Sequence, residues 1–109
     1  MNIESASKIL RTVPREKAFY FFTSIGNYTG ESAASLKEFM EKINQVNIKS
    51  LEFHLYRGDF EKWIDETLED RELAKEIRNL RSLNYAGTML KEKLYNVVAK
   101  RLKELSGNF

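Results

Sequence analysis

The chain has 109 residues, of which 42% are hydrophobic and 31% are charged, and its formal net charge is +2. This length and composition predict one folded domain over residues 1–109 and exclude a disordered chain. With no cysteine and one histidine, the chain has no disulfide, no thiolate nucleophile, no cysteine-bound zinc and no metal site built from several histidines of one copy.

We expect neither a secretory signal nor a membrane-spanning segment in this sequence. The start, MNIESASKIL, lacks the charged beginning and long apolar stretch of a secretory signal. The longest apolar run, AFYFF at residues 18–22, is too short to cross a bilayer. We therefore expect a cytoplasmic protein that has no membrane partner.

The first segments of the chain are set by one proline and one aromatic run. Pro14 ends a short amphipathic segment near Thr12 or Val13, because a residue before proline avoids helical geometry. The run AFYFF fits a buried strand or a buried helical turn, and its aromatic content favours a strand. The following IGNYTGES, residues 25–32, contains two glycines and an asparagine and predicts a loop.

The segment SAASLKEFMEKINQV, residues 32–46, has the periodicity of an amphipathic helix. Its apolar stripe consists of Leu36, Phe39, Met40, Ile43 and Val46. Ser32 is a candidate N-cap, and Ser35 with Glu38 offers a capping box as the alternative.

The segment IKSLEFHLY, residues 48–56, has two interpretations. As a helix it aligns Ile48, Leu51 and Leu55 on one face, and as a strand it alternates Leu51, Phe53 and Leu55 with polar neighbours. The strand interpretation would pair residues 50–56 with residues 18–23 in a two-stranded ribbon backed by helices. We favour the helix, because both flanking segments are helical.

The second half of the chain predicts three more helices. Gly58 ends the preceding element and Asp59 is the predicted N-cap of the next helix, while Asp70 caps another and the last extends from Ala86 to Leu105. The expected fold is an all-α bundle of four to five helices, in which residues 18–24 can be extended. The alternative is an α+β fold with a ribbon of residues 18–23 and 50–56.

The only histidine lies near an arginine and a carboxylate. His54 can act as a general base if Asp59 orients its imidazole, with Arg57 nearby. Against this, Asp59 is needed as a cap, and no serine lies in a strand-to-helix turn as a nucleophile. We therefore expect His54 and Arg57 at the rim of the core, bonded to loop carbonyls or to a carboxylate such as Glu38. The sequence therefore predicts no catalytic residue.

The charge is unevenly distributed, since residues 18–70 carry five basic and ten acidic side chains and residues 71–109 carry nine basic and four acidic. Such asymmetry indicates complementary surfaces within one molecule or between two copies. A basic face that can contact phosphates consists of Arg78, Arg81, Lys91, Lys100 and Arg101. Interspersed glutamates favour solvated helices with ion pairs instead. The abundance of lysine and glutamate is also typical of thermophile proteins.

The block SLEFHLYRGDFEKWI, together with FYFFTSIGNYTGESAASLKEF and YAGTMLKEKL, resembles an uncharacterised archaeal and bacterial family, catalogued as a domain of unknown function. The resemblance covers about residues 15–105. Many members of that family carry a longer insertion between the arginine and the Asp-Phe step, where this chain has Gly58 alone. The matching positions are Ser50, His54, Arg57, Asp59, Phe60 and Trp63. Its members stand alone or are appended to larger proteins such as amylase-type glycoside hydrolases, which implies an accessory or interaction module without a reaction of its own.

Together these features predict a non-enzymatic helical module that binds another protein or itself, as a homodimer, and that needs no metal and no cofactor. Trp63 lies at helical spacing from Phe60 and Ile64 and is expected in the core. One alternative is a nucleic-acid-binding protein that uses residues 71–105. The other is a regulator or enzyme of carbohydrate metabolism centred on His54, Arg57 and Asp59.

Overall fold

The computed structural model describes residues 3–107, which form mostly helices with one small two-stranded antiparallel ribbon. The helices are α1 (Ile3–Leu10), α2 (Leu36–Ile43), α3 (Ile48–Arg57), α4 (Asp59–Trp63), α5 (Arg71–Ser82) and α6 (Gly87–Ser106), and the strands are β1 (Phe19–Ser24) and β2 (Asn27–Ala33). A short 3₁₀ turn, Arg15–Lys17, precedes β1, and α4 continues into one π-helical turn, Ile64–Leu68. The fold is therefore the α+β alternative and not an all-α bundle.

The ribbon is a local hairpin, and its predicted partner was wrong. β1 pairs with β2, with Phe22 opposite Tyr28 and Ser24 opposite Asn27, whereas residues 50–56 lie within α3. The loop predicted over residues 25–32 is also wrong, because most of it is β2. Gly26 makes the tight turn with a φ of 82°, and closing a short loop costs less entropy than pairing segments 30 residues apart.

The helix interpretation of residues 48–57 is confirmed, and its ends follow the expected chemistry. The Asn47 side chain accepts a hydrogen bond from the backbone of Lys49, and Gly58 ends α3 in the left-handed conformation. At α2 the capping-box alternative is confirmed, since Ser35 accepts from the amide of Glu38. Ser32 lies in β2 and does not cap a helix.

The core lies between the inner face of the ribbon and the helices. Phe19 and Phe21 of β1 point inward, and the ring of Phe21 stacks on Phe39 at 6.0 Å between centroids, while Phe60 meets Phe39 at 5.1 Å. α3 packs against β1, and α6 crosses α2, α3 and α5. Within residues 3–107 no helix is both long enough and apolar enough to cross a bilayer.

Candidate functional site

An open cleft of about 590 Å³ lies between β1, the hairpin turn, α3 and α4. Five aromatic side chains line it, namely Phe19, Tyr20, Phe22, Phe53 and Trp63. Its charged side chains are Arg57, Asp59, Lys62 and Glu66. The structure therefore brings four of the six positions singled out by sequence, His54, Arg57, Asp59 and Trp63, to one cleft.

His54 is buried, and both of its ring nitrogens are engaged. Nδ1 lies 2.8 Å from Oδ2 of Asp59, and Nε2 lies 2.8 Å from the backbone nitrogen of Phe22. Because a backbone N–H only donates, Nε2 must carry a lone pair, which leaves the proton on Nδ1, where it is donated to Asp59. The imidazole is therefore neutral and ties α3 to β1.

The predicted role of Asp59 as an N-cap is wrong. Gly58 occupies the cap position of α4, and no side chain in the described part of the chain caps that helix. The left-handed turn at Gly58 instead brings the Asp59 carboxylate to His54 and to Nε of Arg57, 3.4 Å away. The expected carboxylate partner is also corrected, since Glu38 accepts from the backbone of Ala34 and does not bond His54.

Burial lowers the pKa of His54 below its ordinary value of 6.5. The Asp59 carboxylate opposes this shift through its hydrogen bond and its charge, and the Arg57 guanidinium adds to it. A proton on Nε2 would also face the Phe22 N–H, so protonation costs one hydrogen bond. The neutral form is therefore the native one.

The fold is expected to lose stability as the pH falls below 6.5. Because the folded-state pKa of His54 is depressed, the unfolded chain binds the proton first, and the free energy of unfolding then falls by at most about 1.4 kcal/mol per pH unit. Urea unfolding at pH 7.5, 6.5 and 5.5 measures this slope. His54→Gln removes the titrating ring, so its stability should change less over the same range. Equal slopes for the two proteins would contradict the assignment.

Arg57 is held at the edge of the cleft with half of its side chain exposed. Its guanidinium carbon lies 4.8 Å from the centroid of the Phe53 ring, a cation–π geometry that fixes the side chain. Lys62 and Glu66 line the same edge, and neither forms an ion pair with any residue between 3 and 107. The cleft thus presents two cations beside an aromatic wall.

The remaining motif positions are structural. Phe60 and Ser50 are fully buried and do not line the cleft, and the Ser50 hydroxyl has no hydrogen-bond partner among residues 3–107. Trp63 packs against Phe19 and donates from Nε1 to the carbonyl of Lys17 at 2.8 Å. This bond joins the 3₁₀ turn before β1 to α4, and the placement of Trp63 in the core agrees with the prediction.

The predicted basic face does not form one free surface. Arg101 is buried and donates from Nε and Nη2 to both carboxylate oxygens of Asp70, at 2.8 and 3.0 Å. The ends of Arg78 and Arg81 meet the buried carboxylate of Glu61, each at 2.7 Å. These three guanidiniums hold helices together through ion pairs. Of the predicted basic face, Lys91 and Lys100 form no such ion pair within residues 3–107.

Several cleft residues were missed by sequence reasoning. Tyr20 and Phe22 alternate with the buried Phe19 and Phe21 along β1, so a period of two within the aromatic run was the signal that could have found them. In the helix interpretation Phe53 lies to one side of the apolar stripe, and no role was predicted for it. No sequence signal pointed to Lys62 or Glu66, because their place depends on the turn at Gly58.

The chain matches a known protein family. A family model described as a family of unknown function, DUF5752, matches residues 14–108. No curated protein and no solved structure matches the chain significantly.

Proposed function

We propose that this chain, which belongs to the family of unknown function DUF5752, is a non-enzymatic module that binds another protein in its aromatic cleft. The observation that carries this proposal is the open cleft of about 590 Å³, walled by five aromatic side chains. Aromatic residues are enriched at protein interfaces, where their large apolar area supplies most of the binding energy.

The state of His54 supports a role without catalysis. A general base needs a free lone pair within hydrogen-bonding reach of the substrate proton. Here the Nε2 lone pair accepts the N–H of Phe22, and Nδ1 donates to Asp59. The carboxylate that would orient a catalytic imidazole is present, but the nitrogen that would act on a substrate is used by the fold.

The open side of the cleft supports a protein as the ligand. Sites for small molecules bury most of the ligand surface, whereas this cleft opens beside Ile25, which is 84% exposed, and Tyr28, which is 48% exposed. Contiguous apolar side chains on a surface are typical of interaction sites. The nucleic-acid alternative gains less support, because Arg78, Arg81 and Arg101 are bonded to carboxylates.

Replacing Ile25 with serine is expected to weaken binding about fivefold, because a rim contact of one aliphatic side chain is lost. The probe is a peptide selected from a displayed library on the immobilised wild-type protein, and the readout is the fluorescence of Trp63, the only tryptophan. The fold should be unaffected, since Ile25 is exposed at the hairpin turn.

Leu83→Ser is the matched control, because Leu83 is 61% exposed and does not line the cleft. It should bind the same peptide as tightly as the wild type. Equal losses in the two variants would contradict the cleft as the binding site. Light scattering on both variants distinguishes binding of another protein from self-association. Self-association through the cleft would appear as a dimer that Ile25→Ser disrupts and Leu83→Ser does not.

A further inference from the structure

We infer that the partner of the cleft is an acidic segment, in which a large apolar side chain lies next to one or more carboxylates. This inference rests on the proposed function and adds the chemistry of the partner. The apolar side chain would occupy the aromatic wall, and the carboxylate would contact Arg57 and Lys62.

Arg57 is prepared to bind a carboxylate before any ligand arrives. The ring of Phe53 lies under its guanidinium, and Asp59 lies beside its Nε. Its terminal amino groups form no hydrogen bond with residues 3–107, so they are available as a bidentate donor pair. Because the side chain is already ordered, binding costs less rotamer entropy than it would for a free arginine.

Lys62 adds a second cation on the same edge of the cleft. It lies one helical turn after Asp59 on α4, and it is exposed. Two cationic donors in one cleft can both contact a bound carboxylate.

The two carboxylates of the cleft do not cancel this preference. Asp59 already accepts the proton of His54 and faces Arg57. The Glu66 carboxylate opposes an acidic partner, since it is exposed and forms no ion pair among residues 3–107, and the formal charges of the cleft therefore balance. The preference for an acidic segment rests instead on donor geometry, namely the terminal amino groups of Arg57 over the Phe53 ring and the ammonium group of Lys62 in the same cleft.

The test uses three capped pentapeptides that differ in one feature at a time. The first has a central phenylalanine flanked by glutamates, the second replaces the glutamates with lysines, and the third replaces the phenylalanine with alanine. Titration of the wild-type protein at low salt, followed by Trp63 fluorescence, gives the three dissociation constants. The glutamate–phenylalanine peptide should bind at least about tenfold tighter than either of the others.

Charge variants then locate the preference. Arg57→Gln should weaken binding of the glutamate–phenylalanine peptide about tenfold and Lys62→Gln about threefold. Glu66→Gln should tighten it, because the opposing carboxylate is removed. Lys75→Gln removes the same charge from an exposed position of α5 outside the cleft and should leave the affinity unchanged.

Each other outcome overturns a defined part of this reasoning. Equal binding of the two phenylalanine peptides, or tighter binding of the lysine form, overturns the acidic partner and leaves the proposed function standing. No binding of any phenylalanine peptide at millimolar concentration overturns both. If 3-phenylpropionate binds as tightly as the acidic peptide, the site takes a small carboxylic acid and the inference of a protein segment fails.

Discussion

Replacing Arg101 with methionine is expected to destabilise the fold by about 3–5 kcal/mol. The Arg101 side chain is 6% exposed and that of Asp70 is 1% exposed, so the substitution leaves a buried carboxylate without its counter-charge. Burial pulls the pKa of Arg101 down, but the bond to Asp70 and the charges of Glu72 and Glu104 outweigh it and raise that pKa. The pair therefore holds the end of α6 at the start of α5. Urea unfolding at pH 7.5, followed by circular dichroism, measures the loss.

A double variant tests whether the unpaired charge of Asp70 or the lost contacts of Arg101 cause this destabilisation. Asp70→Asn combined with Arg101→Met removes both charges and keeps a side chain that can cap α5, whose Leu73 amide bonds Asp70. The double variant should be more stable than Arg101→Met alone. Lys100→Met changes an exposed neighbour on α6 and should shift stability by less than about 0.5 kcal/mol. A double variant as unstable as the single one would refute the unpaired charge as the cause.

Replacing Trp63 with alanine is expected to cost about 3–5 kcal/mol of folding free energy. The ring is 8% exposed and packs against Phe19 and Phe39, each at 5.7 Å between centroids. Its Nε1 also donates to the carbonyl of Lys17, so the substitution removes the bond that holds the 3₁₀ turn before β1. Thermal and urea unfolding by circular dichroism give the change, since the fluorescence of this residue is lost.

A further variant separates the contribution of the apolar ring from that of its hydrogen bond to Lys17, and a second serves as a control. Trp63→Phe keeps most of the apolar area and removes the bond to Lys17, so it should cost about 1–2 kcal/mol. Met89→Ala shortens a half-exposed side chain of α6 and should have little effect. A loss below about 1 kcal/mol for Trp63→Ala would show that the aromatic cluster does not depend on this ring.

The candidate site illustrates how far a sequence can be interpreted alone. The hypothesis that Asp59 orients the imidazole of His54 was available from their proximity, and that contact is present at 2.8 Å. It competes with the role of helix cap, which an aspartate after a glycine can also take. The partner of the other ring nitrogen, the amide of Phe22, lies 32 residues away, and no local pattern encodes it.

The same dependence on distant contacts explains which roles of charged residues were predicted from the sequence and which were not. Asp70 was correctly predicted as a cap, because that role depends on its immediate neighbours. Its pairing with Arg101 joins residues 31 positions apart, and along the sequence Arg101 resembles its solvated neighbours. A basic side chain in a run of Lys and Glu carries no local sign of burial.

What the sequence determined by itself is therefore local. The helical periodicity of residues 36–43 and 71–82 and the capping of α5 follow from neighbours within four positions, since helix hydrogen bonds span that distance. The pattern of residues 48–56 favours a helix and also fits a strand. Membership in a family of unknown function follows from the pattern of residues 14–108.

The tertiary structure alone decided the rest. It buried Arg101 on Asp70, bonded His54 to the amide of Phe22, and brought the aromatic strand to Arg57 and Lys62 in one cleft. The physical reason is that these contacts join elements far apart in sequence. Their free energy depends on packing and on exclusion of water, which exist only once the chain has folded.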